Sequence, residues 1–417
     1  MGQSALEGEN LGFKEFSMFR KKISGIMILI VGIMFVGAIA IGFTACGDFS
    51  GDDANAEYGW YGKGSASTFT ISNATQLAEL AKIVWGSRWD DDVPAQSDFK
   101  GKTVTLAADI DMSGKSWRGL GYSYIPLYPF NGTFDGNNKT ISGLRADNQG
   151  FFGLIGEDGI VKNIVFVDLN FSGSDGGGGV ARTNEGKVQN ISIINGSGGS
   201  GGGGVVYSNA GIVENCNFSG IITSGLGGSG GIATSNTTSG VIRSCYVTGS
   251  VTNNSASGSG GIVGSNRGTV QNCYTICSAT NGGIAAYNGG TIKNCYAAGD
   301  VTGGNWHGVG GIAGSNDGTI QNCAALNPSI TSVYSYIGRV ADGNSGFLNN
   351  YGSSGMTLPS AVTVTSDPNG IHGADVEASD YNSQTWWTTS SNWNSVSLWD
   401  FTTVWEWDST RNLPKLR

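Results

Sequence analysis

Five cysteines recur along this chain at nearly even intervals: Cys216, Cys245, Cys273, Cys295 and Cys323, in steps of 29, 28, 22 and 28 residues. A thiol in such a series can act as a nucleophile, a metal ligand or half of a disulfide. Metal ligation is disfavoured, because no CxxC pair brings two sulfurs together. Nucleophilic catalysis needs a neighbouring base, and the two histidines, His307 and His372, do not recur with the thiols. Disulfides between neighbouring repeats are geometrically possible. In two earlier repeats the same position holds Ile164 and Ile191, so it accepts a small apolar group, which is how a buried thiol behaves. Packing is therefore the expected role, with Cys277 outside the series and neither metal nor cofactor implied.

A second candidate is Tyr246, Tyr274 and Tyr296, each directly after a recurring cysteine. Alternation points them outward, where they would form an exposed aromatic stripe able to hold sugar rings. The plainer reading is cross-strand stacking that fixes register. A third candidate is acidic. Glycosidic cleavage needs two converging carboxylates, or calcium-binding carboxylates with a basic group. Asp90, Asp91 and Asp92, then Asp109, Asp111 and Asp135, supply acids, but all lie before the repeats. They form no evident converging set, so catalysis is not expected.

What positions these residues is a repeat. Seven copies of a short strand run from "VKNIVF" (161–166) through "VQNISI", "VENCNF", "IRSCYV", "VQNCYT" and "IKNCYA" to "IQNCAA" (320–325). Gly-Gly-[Ile/Val] precedes most copies and leads to Asn184, Asn209, Asn236, Asn266, Asn288 and Asn316. A period in the twenties with β-favouring runs and no helical periodicity implies a solenoid. The fold expected is all-β, a parallel β-helix of about seven coils stacked about 4.8 Å apart. Within each short strand, two inward residues are separated by two others, so the chain must bend. Asn163, Asn190, Asn215, Asn272, Asn294 and Asn322 stand at that bend, because Asn tolerates left-handed backbone. They should also hydrogen-bond along the stack as an amide ladder. Ser244 is the one departure.

Composition agrees. Glycine accounts for 70 of 417 residues, charged residues for 13%, and the net charge is −9, which argues against a nucleic-acid partner. At the N-terminus, Arg20, Lys21 and Lys22 precede an apolar run to Ala45, the layout of a secretory signal. Translation is expected to begin at Met18, with residues 1–17 an extension. "FTAC" resembles a bacterial lipobox, which implies lipidation of Cys46; an uncleaved membrane anchor is the alternative. Either way the remainder is expected outside the cytoplasm.

The units "GGIVGSNRGTVQNCY" and "GGIAGSNDGTIQNC" resemble the GLUG motif of bacterial surface proteins. "FNGTFDGNNKTISGL" (130–144), "FTISNATQLAELAKIV" (69–84) and the terminal "WEWDSTRNLPKLR" are similar to the flanks of such domains. The resemblance covers about 350 residues and implies an exported β-helical module associated with adhesion and biofilm surfaces. It implies no chemistry, and the HExxH of zinc-peptidase relatives is absent here. The expected organisation is a signal over 1–45, a linker over 46–66, an N-terminal cap with the first coils over 67–148, repeats over 149–345, and a Trp-rich C-terminal cap over 346–417. In the first cap, Asn73 with Gln76 forms a capping-box pattern, and Leu77, Leu80, Ala81 and Val84 share one helical face. Trp386, Trp387, Trp393, Trp399, Trp405 and Trp407 would seal the other end. The expected role is non-catalytic adhesion to glycans, matrix or other cells, as a monomer held to the membrane by its N-terminus. A polysaccharide lyase or hydrolase and a purely structural envelope protein are the alternatives.

Overall fold

The computed structural model describes residues 58–62, 64–86, 95–124, 127–146, 148–171, 176–199, 201–225, 227–254, 258–303, 308–333, 336–393 and 399–417. The signal, Cys46, Asp90, Asp91, Asp92 and His307 lie outside them. Residues from Asp53 onward form one compact unit. Among the described residues, no helix is long and apolar enough to cross a membrane.

The expected parallel β-helix is what forms. Each coil of the repeat has three straight sides, seen for example in Val263–Asn266, Thr269–Gln271 and Tyr274–Gly282. Equivalent sides pair in parallel and in register, as in Thr269↔Thr291, Val270↔Ile292 and Gln271↔Lys293. The stack is longer than the seven coils expected. Thr68–Ile71, Thr103–Leu106 and Thr133–Asp135 form rungs ahead of the repeats, and Phe347–Leu348 adds one after them. The N-terminal lead-in is thus part of the body.

Two aliphatic columns fill the interior. Phe134, Val161, Val188, Val213, Ile242, Val270, Ile292, Ile320 and Phe347 stack through successive pairings, and all are buried. The apolar residue after each glycine pair forms the second column, Val180, Val205, Ile232, Ile262, Ile284 and Ile312, which Val340 continues after Gly338–Arg339. Burying one such side chain contributes about 1.5–3 kcal/mol, so the columns supply the driving force. The glycine pairs make the corner. A Cβ on Gly260 would collide with the carbonyl of Val263 and the backbone of the next coil, so no larger residue fits.

The bends are as the sequence implies. Asn163, Asn190, Asn215, Asn272, Asn294 and Asn322 have φ between 50° and 57°, and Ser244 takes 51° in the same place. Asn349, at 55°, continues the series. At the N-terminus, helix Ala74–Trp85 covers the first rungs. Asn73 Oδ1 accepts from the Gln76 N–H at 3.0 Å, and Gln76 Oε1 accepts from the Ser72 N–H at 2.7 Å. Leu77, Leu80 and Val84 are buried, but Ile83 takes the place expected of Ala81, which is half-buried.

The second asparagine series, before each glycine turn, faces inward and forms a continuous ladder. Asn184 Nδ2 donates to Asn209 Oδ1, Asn209 to Asn236, Asn236 to Asn266, Asn266 to Asn288 at 2.8 Å each, and Asn288 to Asn316 at 2.7 Å. All six are at most 2% exposed. Asn236→Ala leaves Asn266 Oδ1 buried without a donor and takes from Asn209 Nδ2 its shortest acceptor, with the carbonyls of Gly211 and Val241 still in reach, a cost of about 1–3 kcal/mol. Asn190→Ala, on the exposed ladder, should cost under about 1 kcal/mol. Urea denaturation followed by circular dichroism reads the difference, and equal costs would refute it.

Candidate functional site

The recurring thiols form a column, as the repeat requires. Ile164 pairs directly with Ile191. The residues that follow the cysteines pair as Asn217↔Tyr246, Tyr246↔Tyr274, Tyr274↔Tyr296 and Tyr296↔Ala324. Cys216, Cys245, Cys273, Cys295 and Cys323 are free thiols at most 1% exposed. Each Sγ lies 3.2–3.3 Å from the carbonyl two residues earlier, that of Glu214, Arg243, Gln271, Lys293 or Gln321. Burial pushes the thiols of Cys216, Cys245 and Cys295 well up, away from the reactive thiolate. Among the described residues no His, Cys, Asp and Glu cluster could hold a metal ion.

The outer asparagine ladder exists in pieces. Asn163 Nδ2 donates to Asp135 at 3.0 Å, Asn190 to Asn163 at 2.9 Å and Asn215 to Asn190 at 3.2 Å. Ser244 interrupts it because a hydroxymethyl cannot bridge both neighbours. It resumes from Asn294 to Asn272 at 3.4 Å and from Asn349 to Asn322 at 3.0 Å.

The tyrosine stripe needs correction. Tyr246, Tyr274 and Tyr296 do stack face to face, with centroids 5.0 and 5.1 Å apart and planes within 4°. They are not an open platform. Tyr274 is 3% and Tyr296 1% exposed, and only Tyr246 is half-buried. Trp387, Trp399 and Trp405 lie 5.7–6.2 Å from the Tyr296 ring, and Tyr296 Oη donates to the Pro414 carbonyl at 2.5 Å. The C-terminal tryptophans therefore do not simply seal the end of the stack. Trp387, Trp393, Trp399 and Trp405 make a buttress on its flank, with Tyr274, Tyr296, Ala324, Leu326 and Val376 beneath. The physical reason is the outer column itself. Large apolar groups on successive rungs expose an apolar strip, and the C-terminal segment removes it from water. Chain past residue 346 also still contributes rungs, at Tyr351–Ser353 and Ala374–Val376.

The acids are occupied elsewhere. Asp109 accepts from the Thr140 N–H at 2.8 Å and Asp111 from the Ser113 N–H at 2.9 Å. Burial would raise the Asp135 carboxyl, but Asn137, Asn163 and Lys162 bring it below its ordinary value. Glu214, inside the repeats, is likewise held low: Lys187 sits 2.5 Å away and Arg243 pairs with its other oxygen. The one described carboxyl pushed upward is Asp342, by burial and the nearby charge of Asp317. Sequence reasoning did not single out Arg182, whose guanidinium lies 4.7 Å from the Tyr124 ring and 5.1 Å from the Tyr207 ring. Its partners lie 58 residues before it and 25 after it in sequence, so no local motif announces them.

The architecture defines a parallel β-helix with an internal amide ladder and a tryptophan buttress. No family model matches the chain. It is 32% identical over 143 residues to halomucin of Haloquadratum walsbyi, a stretch that is 32% of this chain and 1% of halomucin. The chain thus spans a very small part of that relative. Among solved structures, a Bacteroides ovatus chain provisionally named an immunoglobulin A1 protease is 22% identical, with a TM-score of 0.44, covering 84% of this chain and 92% of that one.

Two outcomes follow. Trp399→Ala opens the buttress and should cost about 3–5 kcal/mol, whereas Tyr246→Ser, at its margin, should cost clearly less; tryptophan fluorescence during urea unfolding measures both. Burial raises the Cys277 thiol to about 12, whereas an unfolded thiol ionises near about 8.5. The native state holds this proton more tightly, so stability is intact below about pH 8.5 and falls above it, by about 1.4 kcal/mol per pH unit for this group. Unfolding midpoints measured from pH 8 to 10.5 should fall less steeply in Cys277→Ala, and identical slopes would discount the thiol.

Proposed function

We propose that the chain is an exported, surface-anchored and non-catalytic β-helical module of the GLUG type, which binds glycans, extracellular matrix or other cells. The observation that carries this reading is the uncharged hydroxyl column on the outer side of the eight-stranded sheet. Thr183, Ser208, Ser235, Ser265 and Ser315 occupy one register position on successive strands, with Tyr287 between the last two. Such a column repeats the same weak donor and acceptor about every 4.8 Å. Many weak, evenly spaced contacts give avidity to a polymeric ligand without any deep pocket. The lipobox-like segment ending at Cys46 is the anchor in this reading. The engagement of Asp109, Asp111, Asp135 and Glu214 in turns and ion pairs supports a binding role over glycosidic cleavage.

The test is to apply the purified chain to glycan and matrix-protein arrays while assaying the supernatant for released sugar. Retention without release is the expected result. Release of soluble sugar would favour the lyase or hydrolase alternative, and no retention on any surface would favour a purely structural envelope role.

A further inference from the structure

The strip beginning at the N-terminal helix holds aromatic rings and a cation that the adhesive columns do not use. Trp85 ends the helix, and its ring lies 5.3 Å from that of Tyr122. Tyr122 and Tyr128 pair across a short antiparallel bridge. Tyr124 stands 5.3 Å beyond Tyr122 and is 38% exposed. Arg182 follows, with its guanidinium between the rings of Tyr124 and Tyr207. Arg182 and Tyr207 are neighbours on adjacent strands, one residue past the pair Ala181↔Val206, so strand register fixes this half of the clamp. Gly176 packs on the Tyr207 ring, where a Cβ would come within 2.5 Å of its Cε2.

Among the described residues the guanidinium is hydrogen-bonded at one corner. Its Nη1 donates to the carbonyls of Gly176 at 2.7 Å and Asn148 at 3.1 Å. Among the described residues neither Nη2 nor Nε has a hydrogen-bond partner, and no carboxylate forms an ion pair with Arg182. This contrasts with Arg243 and Arg339, each paired with an acid. Beside it, Asn148 Oδ1 is buried without a donor among the described residues. A planar cation between two rings is held in one orientation, and its free edge matches the two oxygens of a carboxylate. An exposed tyrosine face next to that edge suits the CH groups of a sugar ring.

We propose that Tyr124, Arg182 and Tyr207 form a subsite for an acidic sugar, a hexuronate residue of an anionic polysaccharide. Arg182 takes the carboxylate in bidentate fashion and Tyr124 carries the ring. This rests on the adhesive reading above and names a ligand class for it.

The experiment is titration of the full chain with a uronate oligosaccharide, its neutral reduced counterpart and inorganic sulfate, followed by intrinsic fluorescence. Binding of the uronate at least tenfold tighter than either control is expected, weakening with salt. Arg182→Gln should reduce it at least tenfold, Arg182→Lys several-fold through loss of the fork, and Tyr124→Ala several-fold, with unchanged far-ultraviolet circular dichroism in all three. Uronate affinity unaffected by Arg182→Gln, or equal affinity for the neutral oligosaccharide, overturns the subsite. Array binding that is confined to neutral glycans or matrix proteins also overturns it and leaves the adhesive reading intact. Absence of binding to every surface overturns both.

Discussion

A buried asparagine amide has to place both a donor and an acceptor, and on this stack each Oδ1 from Asn209 to Asn316 accepts from the same amide one rung away, while the Nδ2 groups also reach backbone carbonyls. That requirement fixes the register of the whole solenoid. A slip of one residue would turn Asn184, Asn209, Asn236, Asn266, Asn288 and Asn316 out of line and strand their polar groups in an apolar interior. The aliphatic columns supply most of the energy, but valine and isoleucine accept neighbouring registers nearly as well. The amides do not. The ladder also links residues 22 to 30 apart in sequence, so it makes distant rungs agree on a common alignment.

The corners and bends serve the same end. Glycine pairs let one coil approach the next closely enough for both columns to stack, and Gly260 shows why a side chain is excluded there. The left-handed residue after each short strand turns the chain onto its third side, and Ser244 shows that backbone conformation, not the amide, is the stricter requirement at that bend. The exposed amide bonds can lapse beside Ser244 because water replaces them. The buried ones have no such substitute, and all six buried copies are asparagine.

Much of this was legible in the sequence. Period and β-favouring composition pointed to a parallel β-helix, and the two-residue gap between inward positions located the bend. The inward turn of Asn184 and its equivalents was less legible, since it depends on how the glycine corner orients the preceding residue. Invariance across six copies was the available signal, against the Ser244 exception in the other series. The flank buttress was hidden for another reason. Alternation gave the direction of Tyr274 and Tyr296 correctly, but which distant segment lies over an outward residue is a tertiary matter. The neighbouring outward Ile276 and Leu326 hinted that this side would not stay in water. Arg182 was invisible because its clamp joins Tyr124 to strands distant in sequence.

The buttress changes how the molecule would respond to tension. A bare solenoid drawn out from one terminus peels coil by coil, since each rung is held chiefly by its two neighbours. Between Tyr246 and Val376 the tryptophans instead grip several coils at once. Those coils must yield together, so the C-terminal half acts as a clasped block, while the coils before Tyr246 can give way singly and recover. Under load, the part before Tyr246 would absorb extension while the clasped part kept its shape.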